Sequence, residues 1–60
     1  MTGYTLQIFK IVNDSRELVK EIQYPNASGH AMMDVVYGAR HYGIAEYFNL
    51  PPQNTYDVCF

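Results

Sequence analysis

Cysteine is almost absent from this sequence, since Cys59 is the only one among 60 residues. One thiol cannot close a disulfide within the chain, so the usual staple of very small secreted domains is excluded and a reducing compartment is expected. The sequence also lacks the run of about 20 apolar residues that a membrane-spanning helix needs, and it lacks the start of a signal peptide. We therefore predict a cytoplasmic protein that does not enter membranes.

Charged residues are scarce as well. Four Lys and Arg stand against six Asp and Glu, which gives a formal charge of −2. This balance has the wrong sign for a protein that neutralises phosphates, so direct nucleic-acid binding is not expected. Hydrophobic residues make up 48% of the chain, too many for a disordered segment. Sixty residues allow one domain at most, and we predict a single folded domain over 1–60.

Alternating apolar residues predict a β-hairpin at the start of the chain. The first strand runs from Thr2 to Val12 and the second ends at Tyr24, with a polar turn between them. A loop of odd length would place Ile8 opposite Ile22. The even-numbered, apolar face of this hairpin is predicted to be the core side.

The sequence after the second strand is typical of one helix. Asn26 or Ser28 can cap its start, and Gly43 follows its last turn. Its apolar residues keep the i, i+3, i+4, i+7 spacing of a single stripe. Beyond the helix, alternate apolar residues over 44–50 and 55–60 predict two further strands.

The predicted order is therefore β-β-α-β-β. It gives an α+β fold, an antiparallel β-sheet with one helix packed on one face. The core is expected between the apolar face of the sheet and the helix stripe. Its predicted members are Leu6, Ile8, Leu18, Ile22, Met32, Val35, Val36, Ala39 and Phe48.

No group of residues carries the signature of a catalytic or metal site. His30 and His41 lie about 16 Å apart along the helix axis, so they cannot share one ion. Cys59 has no base predicted beside it, and no two carboxylates are spaced as an acid and base couple. We predict no enzyme activity, no catalytic residue, no cofactor and no metal.

The predicted outer face of the helix is a ridge of polar and aromatic side chains. The four residues that lie opposite the apolar stripe are His30, Asp34, Tyr37 and His41. A solvated helix face and a partner-binding ridge both give this pattern, and both interpretations stay open. Tyr37 is our first choice as an anchor, because tyrosine offers a large contact area at a small entropic cost.

Three apolar residues interrupt the alternation on the other face of the predicted hairpin. They are Phe9, Ile11 and Val19. An exposed apolar patch usually marks an interface, and a small domain without disulfides gains stability by oligomerising, so we predict partner binding or a homodimer here. The alternative is a β-bulge after Ile8 that turns Phe9 and Ile11 into the core and Lys10 outward.

A lone acidic domain with a hairpin over Tyr4–Tyr24, a helix over Asn26–Tyr42 and a strand pair over Ile44–Phe60 resembles small phage-encoded inhibitors of bacterial defence, such as anti-CRISPR proteins. The resemblance covers the whole chain but is one of size, charge and element order, without a motif that carries functional residues over. It implies a stoichiometric inhibitor, in the host cytoplasm, of a CRISPR effector or another nucleic-acid-binding complex. Dispersed carboxylates favour a steric block over mimicry of DNA.

Two alternatives keep other functions open. A homodimeric nucleic-acid binder would use Lys10, Arg16 and Lys20 for phosphate contacts and tyrosines for base stacking. An assembly subunit would form higher oligomers without a foreign partner. The salt dependence of the binding affinity distinguishes a nucleic-acid binder from a protein inhibitor, because phosphate contacts weaken steeply with ionic strength and an apolar protein interface does not.

Overall fold

The computed structural model describes residues 3–60 and shows an α+β fold built on one antiparallel sheet. β1 is the central strand, with β2 on one side and β3 on the other. The predicted sheet with a helix on one face is confirmed, whereas the element order is β-β-α-α-β. Thr2, the predicted first residue of the hairpin, lies outside the described residues. The elements are β1 (Tyr4–Val12), β2 (Ser15–Tyr24), α1 (Gly29–Tyr42), α2 (Ile44–Tyr47) and β3 (Thr55–Cys59).

A tight two-residue turn joins β1 to β2. Asn13 and Asp14 both have positive φ angles, 51° and 65°, as the central pair of a type I′ turn requires. The odd-length loop predicted from the sequence is therefore wrong. Next to this turn the strands therefore pair three residues away from the predicted register, with Val12 opposite Ser15, and farther from the turn they pair two residues away from it, so Ile22 lies opposite Leu6 instead of Ile8.

Replacing Asp14 with Gly should stabilise this turn. Glycine reaches positive φ without the steric cost that a Cβ brings, so the free energy of unfolding should rise by roughly 0.5–1 kcal/mol. Urea denaturation measures the change. Asp14→Ala is the matched control and should be destabilising. Equal effects of the two substitutions would show that the turn does not depend on positive φ at this residue.

The pairing of β1 with β2 contains a β-bulge at Val19. Ile8 pairs with Lys20 and Phe9 pairs with Leu18, so Val19 has no partner residue on β1. The bulge therefore lies in β2, while β1 keeps its alternation. As a consequence Leu18 lies on the face of Phe9 and is 48% exposed, so the prediction that it belongs to the core is wrong.

The core lies between α1 and the even-numbered face of β1. Leu6 and Ile8 of β1 and Met32 of α1 are fully buried, and they form one cluster with Val58 of β3. Apart from Leu18, every other predicted core residue is either buried, like Ala39, or packed against this cluster. The partly buried side chains around it are Ile22, Tyr24, Ala27, Val35, Val36, Ile44, Phe48, Leu50 and Tyr56.

The helix α1 ends at Tyr42 as predicted and begins at Gly29 instead of Asn26, with Ser28, one of the two predicted caps, at its start. The side-chain oxygen of Ser28 accepts a hydrogen bond from the N–H of Ala31 at 3.1 Å and so caps the start. At the other end, Gly43 donates its N–H to the carbonyl of Ala39. The φ of Gly43 is 110°, a conformation that favours glycine, and it lets the chain pass directly into α2.

The strand predicted over 44–50 is wrong, because Ile44–Tyr47 form the short helix α2. Ile44 and Phe48 stand on alternate positions with Leu50, but they are also four residues apart and so lie on one face of a helical turn. Both pack against the core cluster. Asn49, with a φ of 60°, ends this turn.

Each outer edge of the sheet in residues 3–60 carries a feature that hinders another strand from pairing. The bulge at Val19 interrupts the edge of β2. On β3, the N–H of Val58 donates to Oδ1 of the preceding Asp57 at 2.9 Å, so a neighbouring strand cannot use it. The same Oδ1 lies 3.6 Å from the guanidinium of Arg40. The charges of Asp57 and Arg40, and the N–H of Val58 that is already hydrogen-bonded, therefore hinder another strand from pairing with β3.

Candidate protein-binding surfaces

The face of the sheet opposite α1 carries none of the fully buried side chains. Phe9 and Ile11 lie on this face, partly buried, and neither packs against the core cluster. Leu18 lies beside Phe9 on β2, and exposed Val19 adjoins them at the bulge. The structure therefore places Phe9 and Ile11 on one face together with Leu18, while Val19 lies next to Leu18 at the bulge, without a partner on β1. We call Phe9, Ile11 and Leu18 the sheet-face patch.

An arginine lies directly over this patch. The guanidinium carbon of Arg16 is 4.8 Å from the centroid of the Phe9 ring, a cation–π contact. In residues 3–60 no carboxylate forms an ion pair with Arg16, since the pairs present join other residues. The stack holds the planar group in place while its N–H groups stay free to bind an acceptor.

The carboxylates on the same face already have partners. The side-chain amide of Gln7 donates to Oε2 of Glu21 at 3.1 Å, across the paired strands. Asp57 accepts the N–H of Val58 and lies beside Arg40. Arg16 is thus the one charged side chain of this face, within the described chain, that has no polar partner.

The predicted helix ridge lies on the other side of the molecule. All four of its residues are exposed. Nε2 of His30 is 4.0 Å from Oδ2 of Asp34, and because both groups are well hydrated this pair contributes little to stability. Tyr37 is 64% exposed. The residues predicted to bind a partner therefore form two separate surfaces, because α1 covers the sheet on the face opposite the sheet-face patch.

Sequence reasoning missed a cluster of aromatic side chains where α1 meets α2. Tyr42 is 64% exposed and its ring contacts Tyr47 edge-on, with 6.5 Å between centroids. Tyr47, 44% exposed, contacts the Phe48 ring in the same way at 4.8 Å. The cluster was not predicted because residues 44–50 were expected to form a strand. A strand would carry Tyr47 away from α1, whereas the helical turn of α2 brings its ring against α1. We call Tyr42, Tyr47 and Phe48 the aromatic cluster.

Two details show how closely the aromatic cluster is packed. A Cβ on Gly38 would lie 3.6 Å from Cε2 of Tyr47, so the ring rests on the helix where the side chain is smallest. Burial raises the pKa of the Tyr24 phenol, and the neighbouring phenol of Tyr47 raises it further. Tyr47 therefore packs on α1, and its phenol lies near that of Tyr24 at the end of β2.

A shallow groove of about 350 Å³ runs between α1 and β3. Its exposed apolar walls are Met33, Tyr37 and Phe60. Tyr37 thus belongs both to the helix ridge and to this groove, and of the four ridge residues it alone lines the groove. The solvent-facing sides of α1 and α2 are called the helical surface below; they carry Tyr37 on the flank of α1 beside β3 and the aromatic cluster about 140° around the helix axis, on the flank beside α2.

Residues 3–60 contain no group of three His, Cys, Asp or Glu side chains that could hold a metal ion. No helix in this part of the chain has the length and apolar character to cross a membrane. Comparison with protein-family models, curated proteins and solved structures gives no significant match to this chain.

Cys59 lines the groove, and within residues 3–60 its thiol makes one hydrogen bond, donated to the carbonyl of Phe60 at 3.9 Å. The substitution Cys59→Ser should therefore leave both the melting temperature and partner binding unchanged, because serine is nearly isosteric and the position is exposed. Thermal unfolding and a binding titration check this. A loss of affinity above tenfold would show that the thiol takes part in binding.

Proposed function

We propose that this chain is a protein-binding module that acts as a stoichiometric inhibitor. Its target class would be that of the phage proteins it resembles, a CRISPR effector or another nucleic-acid-binding complex. The observation that supports this is the exposure of aromatic rings on the helical surface, where Tyr37, Tyr42 and Tyr47 all face solvent. Tyrosines on a rigid scaffold dominate the binding energy of many protein interfaces.

The distribution of acidic residues favours a steric block over mimicry of DNA. Mimicry needs a dense row of free carboxylates. Glu21, Asp34 and Asp57 lie on three different elements, and each has a polar neighbour. Aromatic contacts are then the main source of affinity.

The basic residues of the hairpin do not form one surface. Arg16 pairs with Ile11 and lies on the face opposite α1. Lys10 and Lys20 lie on the other face, because β1 alternates and Lys20 pairs with Ile8. A phosphate backbone could not contact all three at once, so we rank nucleic-acid binding below protein binding.

Titration of the purified chain against a panel of DNA-cleaving CRISPR effectors tests the proposal. We expect cleavage by one effector to end near a one-to-one molar ratio. Tyr37→Ala and Tyr42→Ala should each weaken inhibition at least tenfold, about 1.4 kcal/mol, without lowering the melting temperature. Glu17→Ala, an exposed change on β2, is the control and should keep full inhibition.

Two results would contradict the proposal. If no effector of the panel loses activity, the inhibitor function is wrong. If the chain instead binds DNA or RNA with an affinity that falls steeply between 50 and 200 mM salt, it is a nucleic-acid binder.

A further inference from the structure

We propose that the face of the sheet opposite α1 is a homodimer interface, in which a second copy of this chain packs face to face. This inference goes beyond the proposed function, which uses the helical surface on the other side of the molecule. Stacked sheets lie about 10 Å apart with their inward side chains interdigitated. The sheet-face patch would then be covered by its own equivalent.

The pairing of the strands arranges this face in rows. Each row contains one residue from β2, one from β1 and one from β3. The rows are Arg16, Ile11 and Thr55, then Leu18, Phe9 and Asp57, then Glu21, Gln7 and Cys59. Apolar side chains thus occupy the middle of the face, and an unpaired cation and a carboxylate lie on β2 at either side of them.

A two-fold axis in the interface, perpendicular to the strands and through the row of Phe9, makes this face complementary to itself. The axis places Phe9, with the Arg16 guanidinium stacked on its ring, over its equivalent, and it places Leu18 over its equivalent. Asp57 of the same row also lies over its equivalent, and each of these carboxylates keeps its ion pair with Arg40. It also places Arg16 over the second copy's Glu21, and by symmetry this pair forms twice. The guanidinium that lacks a carboxylate within its own chain thereby gains one.

The other simple arrangement is less favourable. An axis parallel to the strands would place Leu18 over the second copy's Asp57 and Arg16 over the second copy's Thr55. Leucine would then desolvate a carboxylate, and the arginine would stay without a charged partner. The perpendicular axis forms two Arg16–Glu21 pairs against one contact between Asp57 carboxylates that Arg40 partly neutralises, so charge complementarity favours the perpendicular axis.

The size of the face sets the strength of the dimer. Three strands and three apolar side chains per copy are few, so the interface falls at the small end of specific interfaces. We expect a dissociation constant on the order of 10–100 µM, with monomer and dimer in exchange. A small domain without disulfides gains stability from such an association.

Sedimentation equilibrium between about 5 and 500 µM tests this interface, since the monomer mass is 6.9 kDa and the dimer has twice that. We expect dimer at the high end. The single substitutions Arg16→Glu and Glu21→Arg should each weaken the dimer at least tenfold, and the two together should restore it. Lys20→Glu, next to Glu21 but on the opposite face, is the control and should leave the dimer unchanged.

Leu18→Asp supplies a second variant at an exposed position, where misfolding is not expected, and it should abolish the dimer. A chain that remains monomeric at 500 µM overturns the proposal. So does a dimer that survives Leu18→Asp, or one that the double charge reversal does not restore. Because Leu18 is remote from the helical surface, Leu18→Asp should still inhibit an effector, and Tyr42→Ala should still dimerise. Failure of the dimer is thereby distinguished from failure of the inhibitor function.

Discussion

Replacing Met32 with Asp should leave the chain unfolded at 25 °C. Met32 is fully buried in the cluster with Leu6, Ile8 and Val58, which offers no cation and no hydrogen-bond donor from a side chain. An unpaired carboxylate there costs several kcal/mol. A 60-residue domain without disulfides rarely has more than about 3–5 kcal/mol of stability. Circular dichroism and amide NMR dispersion would report the loss of structure.

Two other substitutions serve as controls for Met32→Asp. Met32→Leu conserves the volume of the side chain and should cost under about 1.5 kcal/mol. Val35→Asp changes a partly buried residue at the side of the stripe, so it should destabilise the fold less than Met32→Asp does. A cooperative melt of Met32→Asp at the temperature of the unchanged protein would contradict the position of α1 on the sheet.

Replacing Gly43 with Val should have the second-largest effect on stability. A φ of 110° is strained for any residue with a Cβ and worst for a β-branched one, so we expect a loss of about 2–3 kcal/mol. The change also alters the passage from α1 to α2, which places Tyr47 on Gly38. Urea denaturation measures the first effect, and the near-ultraviolet circular dichroism of the tyrosines measures the second.

Gly38→Ala is the matched control for Gly43→Val. Gly38 lies inside α1, and its added Cβ would meet Tyr47 at 3.6 Å, an ordinary contact. Alanine favours the helix by about 1 kcal/mol over glycine, so this variant should be more stable than the unchanged protein. Equal destabilisation by the two substitutions would show that chain flexibility, not the φ of Gly43, determines the result.

The elements predicted correctly from the sequence are those in which the apolar residues keep one spacing over a long segment. The stripe of α1, with Met32 and Ala39 buried, follows the expected spacing over three turns. The strand predicted over residues 44–50 is wrong because the sequence is ambiguous there. Ile44, Phe48 and Leu50 fit the alternation of a strand, and Ile44 and Phe48 also fit the four-residue spacing of a helix. Only the position of Gly43, which turns the chain, distinguishes these structures.

The hairpin register depended on the turn, which the sequence describes poorly. Asn13 and Asp14 suit several turn types, and the two-residue turn shifts the pairing of the strands. Val19 interrupts the alternation, but the pattern does not show which strand carries a bulge: the predicted alternative places it on β1 after Ile8, whereas it lies on β2 and moves Leu18 from the predicted core to the opposite face. The stack of Arg16 on Phe9 follows from that register and was therefore not predictable.

The central position of β1 also determines the order in which the chain can fold. Its pairing with β2 closes a loop of only two residues, so the hairpin can form early. Its pairing with β3 joins residues 7–11 to residues 55–59 and encloses both helices, which carries a much larger loop-closure entropy. We expect β3 to dock last, on a hairpin and helix that are already formed. The final step of folding is then the burial of Val58 against Ile8.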